Sequence, residues 1–166
     1  MATPTTLPAA FVSGNVLEAL QLNNLRGAFR ILQVVSATRS TLFQSSSATY
    51  TDITTMTASI TPSSTTSKIL VWFVTSGVGA NGTADVLFRI MRDATAVADP
   101  VMVSGVIPGG NETRPATIFY LDSPASVSAI TYKMQGRTTN SAFSVGGRYD
   151  GTYTGVSSFM VMEISA

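Results

Sequence analysis

The period of hydrophobic and polar positions changes once along this chain. Between Asn15 and Gly27, Leu17, Leu20 and Leu25 fall near one face of a 3.6-residue repeat. Asn15 is a good N-cap, Glu18 stands at the capping-box position, and Gly27 supplies a C-terminal stop. The pattern predicts a short helix, which at about ten residues is marginal alone in water and must pack on something. Ahead of it, residues 1–14 are rich in Pro, Thr and Ala. Pro4 and Pro8 bias their predecessors to extended conformations, so this stretch reads as an irregular arm.

From Phe29 the period becomes strand-like. Strands are predicted near Phe29–Ser36, Thr57–Thr61, Lys68–Ser76, Asp85–Arg92, Val101–Val106, Thr113–Asp122, Ala129–Arg137, Phe143–Val145 and Ser157–Ser165, with a weaker one near Leu42–Gln44. Turn chemistry separates them at Thr61-Pro62-Ser63-Ser64, Asn81-Gly82, Pro108-Gly109-Gly110-Asn111, Ser123-Pro124, Gly146-Gly147 and Asp150-Gly151. Many short strands with no helical pattern after Gly27 indicate an all-β fold, an antiparallel β-sandwich or jelly roll. The expected organisation is a docking arm with a short helix over residues 1–27 and a sandwich over residues 28–166. No internal repeat is evident.

Two strands break the alternation that one wet face would impose. In Lys68–Ser76, Leu70, Trp72 and Val74 line one face while Ile69, Val71 and Phe73 line the other. In Ser157–Ser165, Phe159 and Val161 oppose Met160, Met162 and Ile164. Both faces are therefore expected to be buried, one in the sandwich core and the other at a subunit interface or under the packed arm, the alternative being a central strand covered by a loop. Trp72, Phe73, Phe159, Met160 and Met162 are the candidate residues for the trimer interface or core.

Composition sharpens that expectation. Charged residues make up 11% of the chain, against roughly a quarter in ordinary domains. Mean hydropathy is +0.29. Ser, Thr, Asn and Gly replace charge on the outside, which suggests that apolar surface is covered by further copies or by a larger assembly. A net charge of +1 gives no reason to expect nucleic acid or an anionic membrane as partner. The stretch Met1 to Phe11 has neither a basic nor an apolar signal region, and the longest apolar run, Ile69 to Val74, is far short of the ~20 residues of a membrane span. A soluble protein made in a cytoplasm, without membrane insertion, is expected.

Candidate chemistry is sparse. With no Cys and no His, there is no disulfide framework, thiolate metal site, Ser-His-acid set or Cys-His set. Lys68 and Lys133 leave a Ser–Lys pair formally open, but nothing around them resembles a nucleophile elbow, and both read as surface lysines. Gly77-Val78-Gly79-Ala80-Asn81-Gly82 approaches a phosphate loop without the following helix or motif lysine, and Asn81-Gly82 reads as a hairpin turn. Asp93, Asp99, Asp122 and Asp150 lack the dense spacing of a calcium loop. The sequons at Asn81 and Asn111 read as accidental without a signal peptide. No catalytic residue, metal or cofactor is expected. The segment Arg148 to Tyr153 offers either an aromatic binding loop or a hairpin in which Tyr149 and Tyr153 pair, and the hairpin is the preferred reading.

Two stretches carry a resemblance. Phe11, Gly14, Leu17, Leu22 and Asn23 fit a Phe-x-x-Gly-x-x-Leu-x-x-x-x-(Met/Leu)-Asn pattern, which resembles the N-terminal segment of many tailed-phage virion proteins. The body, with Ile60-Thr61-Pro62-Ser63-Ser64-Thr65-Thr66-Ser67-Lys68-Ile69-Leu70-Val71, then Phe119-Tyr120-Leu121-Asp122-Ser123-Pro124 and the closing Met160-Val161-Met162-Glu163-Ile164, is similar to trimeric β-sandwich domains of bacteriophages, cyanophages especially. Such domains occur on capsid cement (decoration) proteins, tail fibres and tailspikes. The resemblance implies a non-enzymatic homotrimer on the outer capsid surface of a virion, bound to the major capsid protein. Phe11, Val16, Leu17, Leu20, Leu22 and Leu25 would be apolar anchors, with Arg26 and Arg30 facing acidic capsid groups. A short arm without heptads suits a protein seated directly on a shell better than a fibre shaft. The rival reading is a receptor-binding tip, meeting a host glycan or protein through loops at Asn81, Asn111, Arg148, Tyr149 and Tyr153.

Overall fold

The computed structural model describes residues 31–107 and 112–165. The expected arm and helix, with Phe11, Val16, Leu17, Leu20, Leu22, Leu25, Arg26 and Arg30, lie outside the described residues, as does Asn111.

Ten strands follow one another: β1 (Ile31–Arg39), β2 (Phe43–Ser45), β3 (Thr51–Ile60), β4 (Lys68–Ala80), β5 (Ala84–Arg92), β6 (Thr95–Ile107), β7 (Thr113–Asp122), β8 (Ile130–Thr138), β9 (Phe143–Val145) and β10 (Ser157–Ile164). They pair antiparallel in two sheets. The first has the order β1-β10-β4-β9-β2, with β7 along the other edge of β4, and the second has the order β3-β8-β5-β6. Strand β4 organises the first sheet. Its first half, Lys68 to Val74, pairs with β10, and Val78 to Ala80 pairs with β9, so β10 and β9 lie end to end along one edge. This is the antiparallel β-sandwich that the period-2 pattern predicts.

The core lies between the sheets. Ile69, Val71, Phe73, Phe159 and Val161 point in from the first sheet, and Val86, Phe88, Ile90, Tyr132 and Met134 from the second, all buried. Phe73 and Phe88 meet across the gap with ring centroids 6.0 Å apart, and Phe143 meets Phe88 edge-on at 6.4 Å. Such aromatic pairs add about 0.5–1.5 kcal/mol each beyond the area they bury.

One polar group also spans the sheets. Asp122 on β7 accepts a hydrogen bond from the Tyr132 hydroxyl on β8 at 2.6 Å, and two from Arg92 Nη1 on β5 at 2.9 and 3.1 Å. Burial and the neighbouring carboxylate push the Tyr132 hydroxyl far above its ordinary pKa, so it stays protonated and donating. The buried carboxylate is thus satisfied from two strands of the opposite sheet.

Four sequence expectations are corrected, each for a local reason. Strand β3 begins at Thr51, not Thr57, because a bulge between Asp52 and Thr57, with Thr55 at φ 71°, interrupts its alternation; Ile53 and Met56 face inward three residues apart. Strand β6 begins at Thr95, passing through Pro100, which an edge strand tolerates. Strand β4 continues through Gly77 and Gly79, because a Cβ at Gly79 would meet Ser144 Oγ at 2.7 Å. The Asn81-Gly82 turn is not a hairpin: β4 and β5 belong to different sheets, so it carries the chain across the sandwich.

Replacing Tyr132 with Phe should lower stability by about 1.5–3 kcal/mol, the usual loss for a hydrogen bond to a charged group. A urea titration should show a lower midpoint at unchanged slope. An unaltered midpoint would remove the Asp122 cluster from the account of how the sheets are held.

Candidate functional site

The two outward faces of the sandwich differ in chemistry. On the first sheet, Val34, Met162, Leu70 and Leu121 stand side by side across β1, β10, β4 and β7. The next row holds Ser36, Met160, Trp72 and Phe119, and the one after it Thr38, Ser158, Val74 and Thr117. Ile31 and Ile164 extend the patch at its other end. Phe119 is 58% exposed, Leu121 55% and Val34 54%. Trp72 and Phe119 lean together with ring centroids 5.1 Å apart. The Trp72 indole N–H is shut off from solvent and has no acceptor among the described residues.

The sequence candidates for trimer interface or core therefore divide. Phe73 and Phe159 are fully buried core residues, whereas Trp72, Met160 and Met162 lie on the outer face. Of the two faces expected to be buried, the inner one lies in the sandwich core and the outer one is half-buried within the single chain. Phe119, Leu121 and Val34 were missed as members of this face. The available signal was the same doubled apolar row in β7, where Phe119 and Leu121 oppose Ala116 and Ile118.

A buried carboxylate fixes the edge of this patch. Glu163 on β10 points inward with no exposed surface. Its Oε1 accepts from the Ser63 N–H at 2.7 Å, Ser63 Oγ at 2.6 Å and Ser67 Oγ at 2.7 Å, while Oε2 accepts from Gln33 Nε2 at 2.6 Å. Burial alone would raise its pKa, but the hydrogen bonds from Ser63, Gln33 and Ser67 outweigh it and hold the group at about 2. The carboxylate thereby ties β1 and the 61–67 loop to β10.

The second sheet's outer face is polar. Tyr50 lies between Arg89 at 4.2 Å and Arg137 at 5.3 Å, Arg89 pairs with Asp99 at 3.1 Å, and Lys133 pairs with Asp52 at 2.9 Å. Gln135 joins Arg89 to Asp52. These partners satisfy one another.

The candidate loop residues are dispersed or rearranged. Asn81 is exposed on the sheet-crossing turn, its N–H bonded to Ala142 O at 2.9 Å. In the 146–156 loop the preferred hairpin reading is corrected in detail. Arg148, not Tyr149, pairs with Tyr153, through Arg148 N to Tyr153 O at 3.0 Å, because Asp150-Gly151 closes a turn from Arg148 O to Gly151 N. The Tyr149 carbonyl accepts from Gln44 Nε2 at 2.6 Å. Lys68 donates to Ser123 Oγ at 2.7 Å on the exposed surface. Of the four aspartates considered for calcium, each is engaged by the chain: Asp93 by Thr131 N, Asp99 by Arg89, Asp122 by Arg92 and Tyr132, Asp150 by Arg148. No helix among the described residues is long and apolar enough to cross a membrane.

No protein family and no curated protein matches the chain in sequence. Among solved structures it is similar to chains of infectious bursal disease virus. One from the Gx strain has 16% identity and a TM-score of 0.44 over 82% of this chain and 39% of that one. One from the crystallised viral particle has 14% identity and a TM-score of 0.47 over 80% and 37%. One from the VP2 subviral particle has 14% identity and a TM-score of 0.43 over 80% and 39%. This chain thus spans well under half the length of those proteins, and a likeness at these values carries no inference about function.

The Glu163 pocket generates a pH signature. The unfolded chain binds a proton at Glu163 near the ordinary 4.5, while the folded chain resists it down to about 2. In that window the unfolded state holds more protons, so the stability that Glu163 contributes is complete above about 4.5 and is lost as pH falls through 2. Glu163→Gln should cost about 2–4 kcal/mol at pH 7 by opposing an amide to four donors. Urea midpoints measured from pH 7 to pH 2 should fall less steeply in the variant; identical slopes would contradict the assignment.

Proposed function

We propose that this chain is a non-enzymatic structural component of a bacteriophage virion, a homotrimeric decoration protein that sits on the outer capsid surface and binds the major capsid protein through residues 1–27. The observation that carries the reading is the apolar outer face of the first sheet. A patch spanning four adjacent strands, opposite a face whose ions are mutually paired, is suited to burial against other protein.

The sequence resemblance supplies the virion context. Three arms engaged at once would raise avidity by roughly 10²–10⁴ over a single contact. A trimer anchored at three points would bridge neighbouring shell subunits and oppose the pressure of a packaged genome.

Two measurements test this reading. Light scattering should give a trimer mass for the native protein and a monomer mass for Phe119→Asp, which puts a charge on an already exposed position of the face. A native monomer would overturn the assembly. Deleting residues 1–27 should leave a soluble trimer that no longer sediments with capsids, and retained capsid binding would overturn the role of the arm.

A further inference from the structure

Where β9 ends and β10 begins along the edge of β4, the first sheet has a gap. The 146–156 loop fills it and leaves a depression of about 330 Å³, lined by Ser76, Thr113, Gly147, Arg148, Tyr153, Thr154 and Gly155. That volume lies at the low end of the range for small-ligand sites, about 300–1,000 Å³.

The walls are rigid for physical reasons. The buried Thr75 hydroxyl accepts from Gly146 N at 3.1 Å and from Ser157 Oγ at 2.9 Å, and Gly77 O accepts from Gly146 N at 2.8 Å. The strand β4 bulge between Thr75 and Val78 thus locks the loop's first residues in place. Glycines allow the loop to pack closely on itself and on β4. A Cβ at Gly147 would meet Tyr153 O at 2.2 Å, and one at Gly155 would meet the Ser76 side chain at 2.7 Å.

The lining specifies a chemical class. Ser76, Thr113 and Thr154 bring hydroxyls that both donate and accept. Tyr153, 67% exposed, stands at the rim with the Arg148 guanidinium 5.4 Å from its ring centroid. Arg148 Nη2 is paired with Asp150 at 3.0 Å, so the lining arginine is neutralised within the loop. An aromatic ring, several hydroxyls and no net charge suit a neutral polyol ring better than an anion.

We propose that this depression binds a neutral pyranose ring of a glycan, its C–H face against Tyr153 and its hydroxyls on Thr113, Thr154 and Ser76. The site stands on one chain and does not depend on the trimer. Neither Asn81 nor Tyr149 lines it.

Saturation-transfer NMR on the full chain tests the proposal, with methyl glucoside, methyl galactoside and N-acetylglucosamine as neutral probes and N-acetylneuraminic acid as the acidic one. Transfer to the ring protons of at least one neutral probe is expected. Tyr153→Ala and Thr154→Val, both at exposed positions that leave the melting temperature unchanged, should weaken it, the tyrosine change by about tenfold. Transfer to the acidic probe alone, to none of the probes, or undiminished in both variants would overturn the assignment.

Discussion

Strand β4 carries an apolar row on each of its faces, and the sandwich has room for one. Ile69, Val71 and Phe73 fill the interior with Phe88 opposite them, while Leu70, Trp72 and Val74 are left on the outside. Neighbouring strands repeat the imbalance rather than correct it: β10 brings Met160 and Met162 to the same side, and β7 brings Phe119 and Leu121. Leaving such a face in water forfeits roughly 25 cal/mol for each Å² of apolar surface that could be covered. The opposite face of the sandwich is different in kind, with Arg89 paired to Asp99 and Lys133 to Asp52.

Buried polar groups then do what apolar packing cannot, which is to fix register and position. Asp122 binds the two sheets together through Tyr132 and Arg92, and Glu163 binds β1 and the 61–67 loop to β10. Each carboxylate is surrounded by donors, so neither is left as an uncompensated buried charge. Through Glu163 the edge strand β1, which contributes Ile31 and Val34 to the apolar face, is held at the sheet margin.

The fold was legible in the sequence because period-2 alternation and turn residues are local signals. Ten strands could be read, including the three-residue β2. What escaped was where backbone geometry departs from simple alternation. The bulge around Thr55 hid the first half of β3, Pro100 hid the start of an edge strand, and the β4 glycines Gly77 and Gly79, close to Thr113 and Ser144 respectively, looked like a loop. Sheet membership was also invisible, so Asn81-Gly82 passed for a hairpin. Of the interface candidates, Trp72, Met160 and Met162 were legible from the doubled rows, but Phe119 and Leu121 needed the strand neighbours that only topology provides. The depression at Arg148 and Tyr153 was partly legible as an aromatic loop. Its remaining wall, from Ser76 and Thr113, comes from strands distant in sequence.

Oxidative footprinting of the methionines bears most directly on the central claim that copies of the chain cover the first sheet's outer face. Met160 and Met162 lie on that face, whereas Met134 lies fully buried in the core and serves as an internal standard. In the native full-length protein, Met160 and Met162 should be protected nearly as well as Met134, and should become reactive on dilution or in Phe119→Asp. Protection that survives both, or free reactivity in the native protein, would contradict the account.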